Sequence, residues 1–170
     1  MRSFMKAVLL TTLLVGIGDL LAAYITQFIR TGRFADKMLY YMAGGALGLE
    51  KSLQGGFWVG LLGLFFHFFI SFAFTLLFFM AYPRLKLQYQ NKYLVWFLIG
   101  FLYSPLVSLT MSFIILPLSK LPTGGAFNFK GAAIGWIVFA IVFSIPMAIL
   151  SDRYYRNKAG NPRAILTRPK

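Results

Sequence analysis

Residues 57–82 read FWVGLLGLFFHFFISFAFTLLFFMAY, and their composition calls for lipid as the surrounding solvent. These 26 residues make a helix of about 39 Å, more than a hydrocarbon core of about 30 Å requires. Only His67 and the hydroxyls of Ser71 and Thr75 interrupt the apolar run, so apolar side chains surround the helix on every face. A helix at the surface of a soluble domain keeps one polar side instead. Pro83 and Arg84 then close the run.

The neighbouring segments repeat the pattern. Residues 93–117 form a second run beyond the basic link 84–92, with Tyr93 and Trp96 where aromatic rings favour the lipid–water interface. Residues 131–151 form a third, after the turn-rich link 121–125, which contains Pro122, Gly124 and Gly125. Upstream, residues 7–29 supply 23 positions, where about 20 suffice to span. The rival for this first run is a cleaved signal peptide, with Arg2 and Lys6 as its basic start and residues 21–23 as a small-residue cleavage site. Apolar character continuing to Ile29 favours a span. The expected fold is therefore an all-α membrane protein, a four-transmembrane-helix bundle with spans at about 7–29, 57–82, 93–117 and 131–151. A basic tail, 153–170, follows.

Composition agrees with a single domain of this kind. Of 170 residues, 59% are hydrophobic and 12% charged, about half the charged fraction of roughly 25% usual in soluble domains. The net charge of +13 arises from 17 Lys and Arg against Asp19, Asp36, Glu50 and Asp152. Those cations lie between and after the apolar runs, where insertion rules and anionic headgroups account for them, and nucleic acid is not expected as a partner. Cysteine is absent, which excludes disulfides, thiol catalysis and thiolate metal sites.

The connection 30–56 is the longest. Within it residues 38–49 are apolar, too short to cross, and bracketed by charge. A short interfacial or re-entrant helix is expected there, with Gly44, Gly45 and Gly48 permitting close packing or a break and Tyr40 and Tyr41 at the interface. Four spans place both termini on one side. That side carries Arg2, Lys6, Arg84, Lys86, Lys92 and the six cations of the tail, eleven in all. The other carries Arg30, Arg33, Lys37, Lys51, Lys120 and Lys130. The positive-inside bias puts the termini in the cytoplasm, with the tail on anionic lipid.

Small and polar residues recur at helical spacing in each span: Thr12, Gly16, Asp19, Ala23 and Thr26; Gly60, His67, Ser71 and Thr75; Gly100, Ser104, Ser108 and Ser112; Ala132, Trp136, Ala140, Ser144 and Ala148. Such stripes mark helix contact surfaces in lipid. Asp19 requires more, because a carboxylate facing lipid at mid-depth costs at least about 2.5 to 3.5 kcal/mol. By rise per residue it lies about 18 Å from the start of its span and His67 about 22 Å from the end of the next, so a direct or water-bridged Asp19–His67 contact is expected. Tyr103 and Ser104, beside Pro105, are candidates to extend this polar cluster.

No Gly-rich phosphate loop, zinc-protease helix motif or nucleophile elbow occurs. One histidine and no cysteine argue against a protein-held zinc or haem, so no metal or other cofactor is expected. The Gly and Asp of the first span, Gly60 and His67 with six residues between them and Phe and Ser following, and Leu116-Pro117-Leu118-Ser119 closing the third span carry a resemblance. Residues 57–120 above all resemble the uncharacterised YagU-like proteins of the bacterial inner membrane. The resemblance implies a multi-pass inner-membrane protein and no catalytic residues. The expectation is a non-enzymatic structural or accessory membrane protein. The alternative is a proton- or ion-coupled transporter or channel element, oligomeric if it conducts. An intramembrane enzyme acting on lipid or isoprenoid is a third, more remote alternative.

Overall fold

The computed structural model describes residues 2–85, 92–122 and 129–159. Eight α-helices and two π-helical turns make up the described chain: α1 (Arg2–Thr31), α2 (Met38–Leu47), α3 (Leu49–Leu53), α4 (Phe57–Leu85), α5 (Lys92–Thr110), α6 (Leu116–Leu118), α7 (Phe129–Phe139) and α8 (Ile145–Ala159). The π-helical turn Met111–Ile115 joins α5 to α6, and Ala140–Ser144 joins α7 to α8. Four continuous helices of 26 to 30 residues result, each long and apolar enough to cross a membrane. Their outer faces match that solvent. On α1, Leu10, Leu14, Leu21 and Ile25 are each more than half exposed, a stripe at helical spacing that no other described residues cover.

Helix ends differ from expectation where local chemistry intervenes. Pro83 was expected to close the second span, yet α4 continues to Leu85. Proline has no N–H to offer the carbonyl four residues back, which here is Phe79. The Tyr155 hydroxyl donates to that carbonyl at 2.7 Å instead. The fourth span overruns residue 151, and α8 takes in the first seven residues of the expected tail. Residues 160–170 of that tail, residues 86–91 of the basic link and residues 123–125 of the turn-rich link lie outside the described residues.

Packing is uneven along the bundle axis. At the end where α1 begins and α8 stops, Val8, Val15, Phe78, Phe79, Tyr82, Val95, Ile99, Phe143, Met147 and Ala148 form one buried cluster. Edge-on rings extend it, Phe4 against Phe79 at 6.1 Å and Phe78 against Tyr103 at 4.8 Å. The third and fourth spans meet through the small-residue stripe: a Cβ on Gly100 would lie 2.9 Å from Ile145 Cα, and Ser104 donates to the Trp136 carbonyl at 2.7 Å. Small side chains admit this close approach of backbones.

At the opposite end, α2 fills the place a fifth helix would take. Gly63 of α4 lies directly beneath the Leu39 carbonyl and the Ala43 N–H of α2, with no space for a side chain. Gly44 abuts Ser52 and Leu121, and the Lys120 N–H donates to the Gly45 carbonyl at 2.9 Å. Gly48 turns the chain from α2 into α3 at φ +89°, a conformation open to glycine at little cost. The expected short helix in the 30–56 connection is therefore present, seated against the flank of α4 and tied to the end of the third span.

A polar latch closes the end where α1 begins and α8 stops. Asp152 is buried, accepts the Trp96 indole N–H at 3.1 Å and pairs with Arg156 one turn along α8. The Arg156 guanidinium also lies 5.8 Å from the Trp96 ring centre. Removing the buried acceptor is the costly change. Asp152→Ala is expected to lower stability by about 1 to 3 kcal/mol. Arg156→Gln should cost less than about 1 kcal/mol, because that side chain is exposed and water screens its ion pair. Thermal unfolding of the purified variants in detergent reads both.

Candidate functional site

Asp19 projects from the inner face of α1 into the less densely packed half of the bundle. There it borders a cavity of about 390 Å³. Met38, Tyr41 and Met42 of α2 form one wall, Phe66, His67, Ile70, Ser71 and Phe74 of α4 another. Val107, Met111 and Ile115 of the third span and Phe139 and Phe143 of the fourth complete it. Both π-helical turns contribute lining residues, Met111 and Ile115 from one and Phe143 from the other. Such turns insert an extra residue into a helix and re-aim the side chains around it, often at functional sites.

His67 binds the helix that carries Asp19, but not the carboxylate itself. Its Nε2 lies 2.9 Å from the Gly16 carbonyl oxygen. A carbonyl only accepts, so Nε2 carries a proton, and in the neutral ring Nδ1 is the acceptor. Among the described residues no hydrogen bond or ion pair joins Asp19 to His67, although the two interact electrostatically and border one cavity. The direct form of the expected direct or water-bridged contact is thus displaced by three residues, about 4.5 Å along α1. Gly16 permits the displacement: a Cβ there would meet the Phe68 ring at 2.8 Å. Glycine at that point lets α4 approach until the imidazole reaches the backbone.

Of the other candidates, Ser71 is buried and lines the cavity with Asp19 and His67. Tyr103 and Ser104 do not join them. The Tyr103 hydroxyl donates to the Phe74 carbonyl at 2.8 Å, and Ser104 faces the fourth span, so both act as ties between helices. Their place on the inner face was legible from spacing. Which neighbour each inner-face residue meets depends on helix rotation and tilt, which spacing does not encode.

A second hollow, of about 550 Å³, opens between α1 and α7. Asp19 and Phe139 border both hollows. From Asp19 it passes Ala22, Ala23, Thr26 and Gln27 on α1 and Gly131, Gly135 and Val138 on α7, reaching Arg30 and Lys130. Asp19 and Arg30 are eleven residues apart on one helix, a rise of about 16 Å. Here the small-residue stripe has the opposite outcome from the one expected. Ala23 and Thr26 line a groove instead of a helix seam, and a Cβ on Gly135 would meet nothing within 4 Å. Phe139 and the groove were not legible in the sequence, because small residues permit both a close seam and a gap.

Among the described residues no group of three His, Asp or Glu side chains converges as a metal site. Four apolar helices of spanning length, apolar outer faces and an acid held at their centre define a multi-pass membrane protein. No family model, curated protein or solved structure matches the chain.

Proposed function

We propose that the chain is a proton- or ion-coupled transport element whose titrating group is Asp19. The observation that carries this reading is the position of that carboxylate where two hollows meet, without a hydrogen bond or ion pair among the described residues. The carboxylate of Asp152, which does lock helices together, accepts from Trp96 and pairs with Arg156. Asp19 instead faces a groove whose polar groups, Thr26, Gln27, Arg30 and Lys130, lead to the bundle end where α1 stops. Intramembrane acids with an aqueous approach mark ion pathways.

The structural or accessory reading is second, and the His67 bond to the Gly16 carbonyl favours it for the histidine, which sets the register of α1 on α4. Other parts of the proposal rest on sequence. The cation count orients both termini toward the cytoplasm and the tail toward anionic lipid. The YagU-like resemblance of residues 57–120 points to a bacterial inner membrane. A groove open along one side of a four-helix chain fits association with a second copy.

The absence of native cysteine makes the test direct. Asp19→Cys, Thr26→Cys and Leu14→Cys, each in sealed vesicles, are treated with a membrane-impermeant charged thiol reagent added to one side and then to the other. Thr26→Cys and Asp19→Cys are expected to react from the same single side, and Leu14→Cys, on the lipid-facing stripe, to resist from both. Equal resistance at positions 19 and 14 would overturn the pathway.

A further inference from the structure

We propose that the apolar hollow beside Asp19 binds a small lipophilic organic cation, which competes with the proton for the same carboxylate. This rests on the transport reading above and supplies its substrate class. The cavity of about 390 Å³ falls within the range of pockets that hold drug-sized molecules, roughly 300 to 1,000 Å³. Phe66, Phe74, Phe139 and Phe143 line it, and Met111 adds a polarizable, adaptable side chain.

Charge selects among apolar guests. Asp19 brings one formal negative charge, and among the described residues no Lys or Arg borders the cavity. The N–H at His67 Nε2 is already committed to Gly16. An anion would meet a carboxylate and no cationic partner. A hydrated inorganic cation would have to exchange its shell for mostly apolar walls, since hard metal ions require about six oxygen ligands. A cation dispersed over an organic framework satisfies every wall at once: its charge opposes the carboxylate, and its apolar surface meets aromatic walls, a side-chain class that also attracts cations.

The two hollows assign the routes. Protons reach Asp19 along the polar groove, whereas the lipophilic cation occupies the apolar side; Phe139 borders both. One carboxylate neutralises one positive charge, so binding of the cation expels the proton and protonation releases the cation. Net charge at the site is unchanged by the exchange.

The full-length protein in detergent tests this by equilibrium dialysis with (1-naphthylmethyl)trimethylammonium and its uncharged carbon isostere, 1-neopentylnaphthalene. The cation is expected to bind saturably and to lose affinity as pH falls, while the isostere is indifferent to pH. Asp19→Asn should weaken the cation about tenfold to a hundredfold, the range of a charge-assisted contact, and leave the isostere unchanged. Asp19→Glu should restore cation binding. Met111→Trp, which fills the cavity, should abolish binding of both compounds. Should Asp19→Asn fail to fold, the pH series on the native chain decides the role of charge. Cation binding indifferent to pH and to Asp19→Asn would overturn the proposal. Absence of saturable binding while Asp19→Cys still reacts from one side would overturn the cation site alone and leave the proton pathway standing.

Discussion

Gly63→Val is expected to dislodge α2 from the bundle, at a cost of about 3 kcal/mol, the upper part of the usual range for overpacking. The magnitude follows from what the new side chain would meet. Most glycine replacements press on a side chain that can rotate away. Here the Cβ would overlap the Leu39 carbonyl and crowd the Ala43 nitrogen, both backbone atoms of α2. Backbone within a hydrogen-bonded helix yields only if the whole helix moves. The neighbouring contacts, Gly44 on Ser52 and the Lys120 bond to Gly45, would open with it. Thermal unfolding in detergent measures the loss, and faster hydrogen exchange across residues 38–47 locates it. Gly135→Ala is the control: its Cβ enters open space, so stability should hold or rise by up to about 1 kcal/mol. Equal melting of Gly63→Val and the native chain would mean that α2 is not seated on α4.

Asp19→Asn is expected to reduce potential-driven proton movement into proteoliposomes to the level of protein-free vesicles, followed with an enclosed pH dye. Asparagine keeps the shape of the side chain and removes the proton-binding group, so the loss should be complete. Asp19→Glu, which preserves the titrating group, should keep part of the activity. Stability should move the other way. An ionised acid at mid-depth carries a cost of at least about 2.5 to 3.5 kcal/mol when it faces lipid, and its neutral isostere is relieved of any part of that cost the fold leaves in place. The thermal midpoint of Asp19→Asn is therefore expected to equal or exceed that of the native chain. A purely accessory protein predicts the reverse, a lower midpoint and no change in proton movement. The two readings thus separate on two independent measurements.

What sequence alone resolved here concerns the solvent. A residue such as Phe65 or Leu14 announces its preference for hydrocarbon wherever it lies, so the run from 57 to 82, the number of spans and the short helix before it were legible from composition and length. The stripe containing Gly16 and Asp19 was legible too, since helical periodicity assigns residues to a face. Ends were less so, because Pro83 looks like a terminator until Tyr155, 72 positions further along the chain, supplies the missing donor. Asp152 read only as one of four acids, just ahead of the basic tail, and the nearness of Trp96 made it a buried latch.

Register, rotation and gaps belong to the tertiary structure. Counting residues placed Asp19 and His67 at similar depth, but a difference of one turn between tilted helices decides whether an imidazole meets a carboxylate or the Gly16 carbonyl. Small residues at 22, 23, 131 and 135 permit contact without requiring it, and the assembled bundle left a groove between them. Solvent preference is a property each side chain carries by itself, and so it survives in a one-dimensional string. A cavity is a property of atoms from five or six helices at once, and it exists only when their packing is settled.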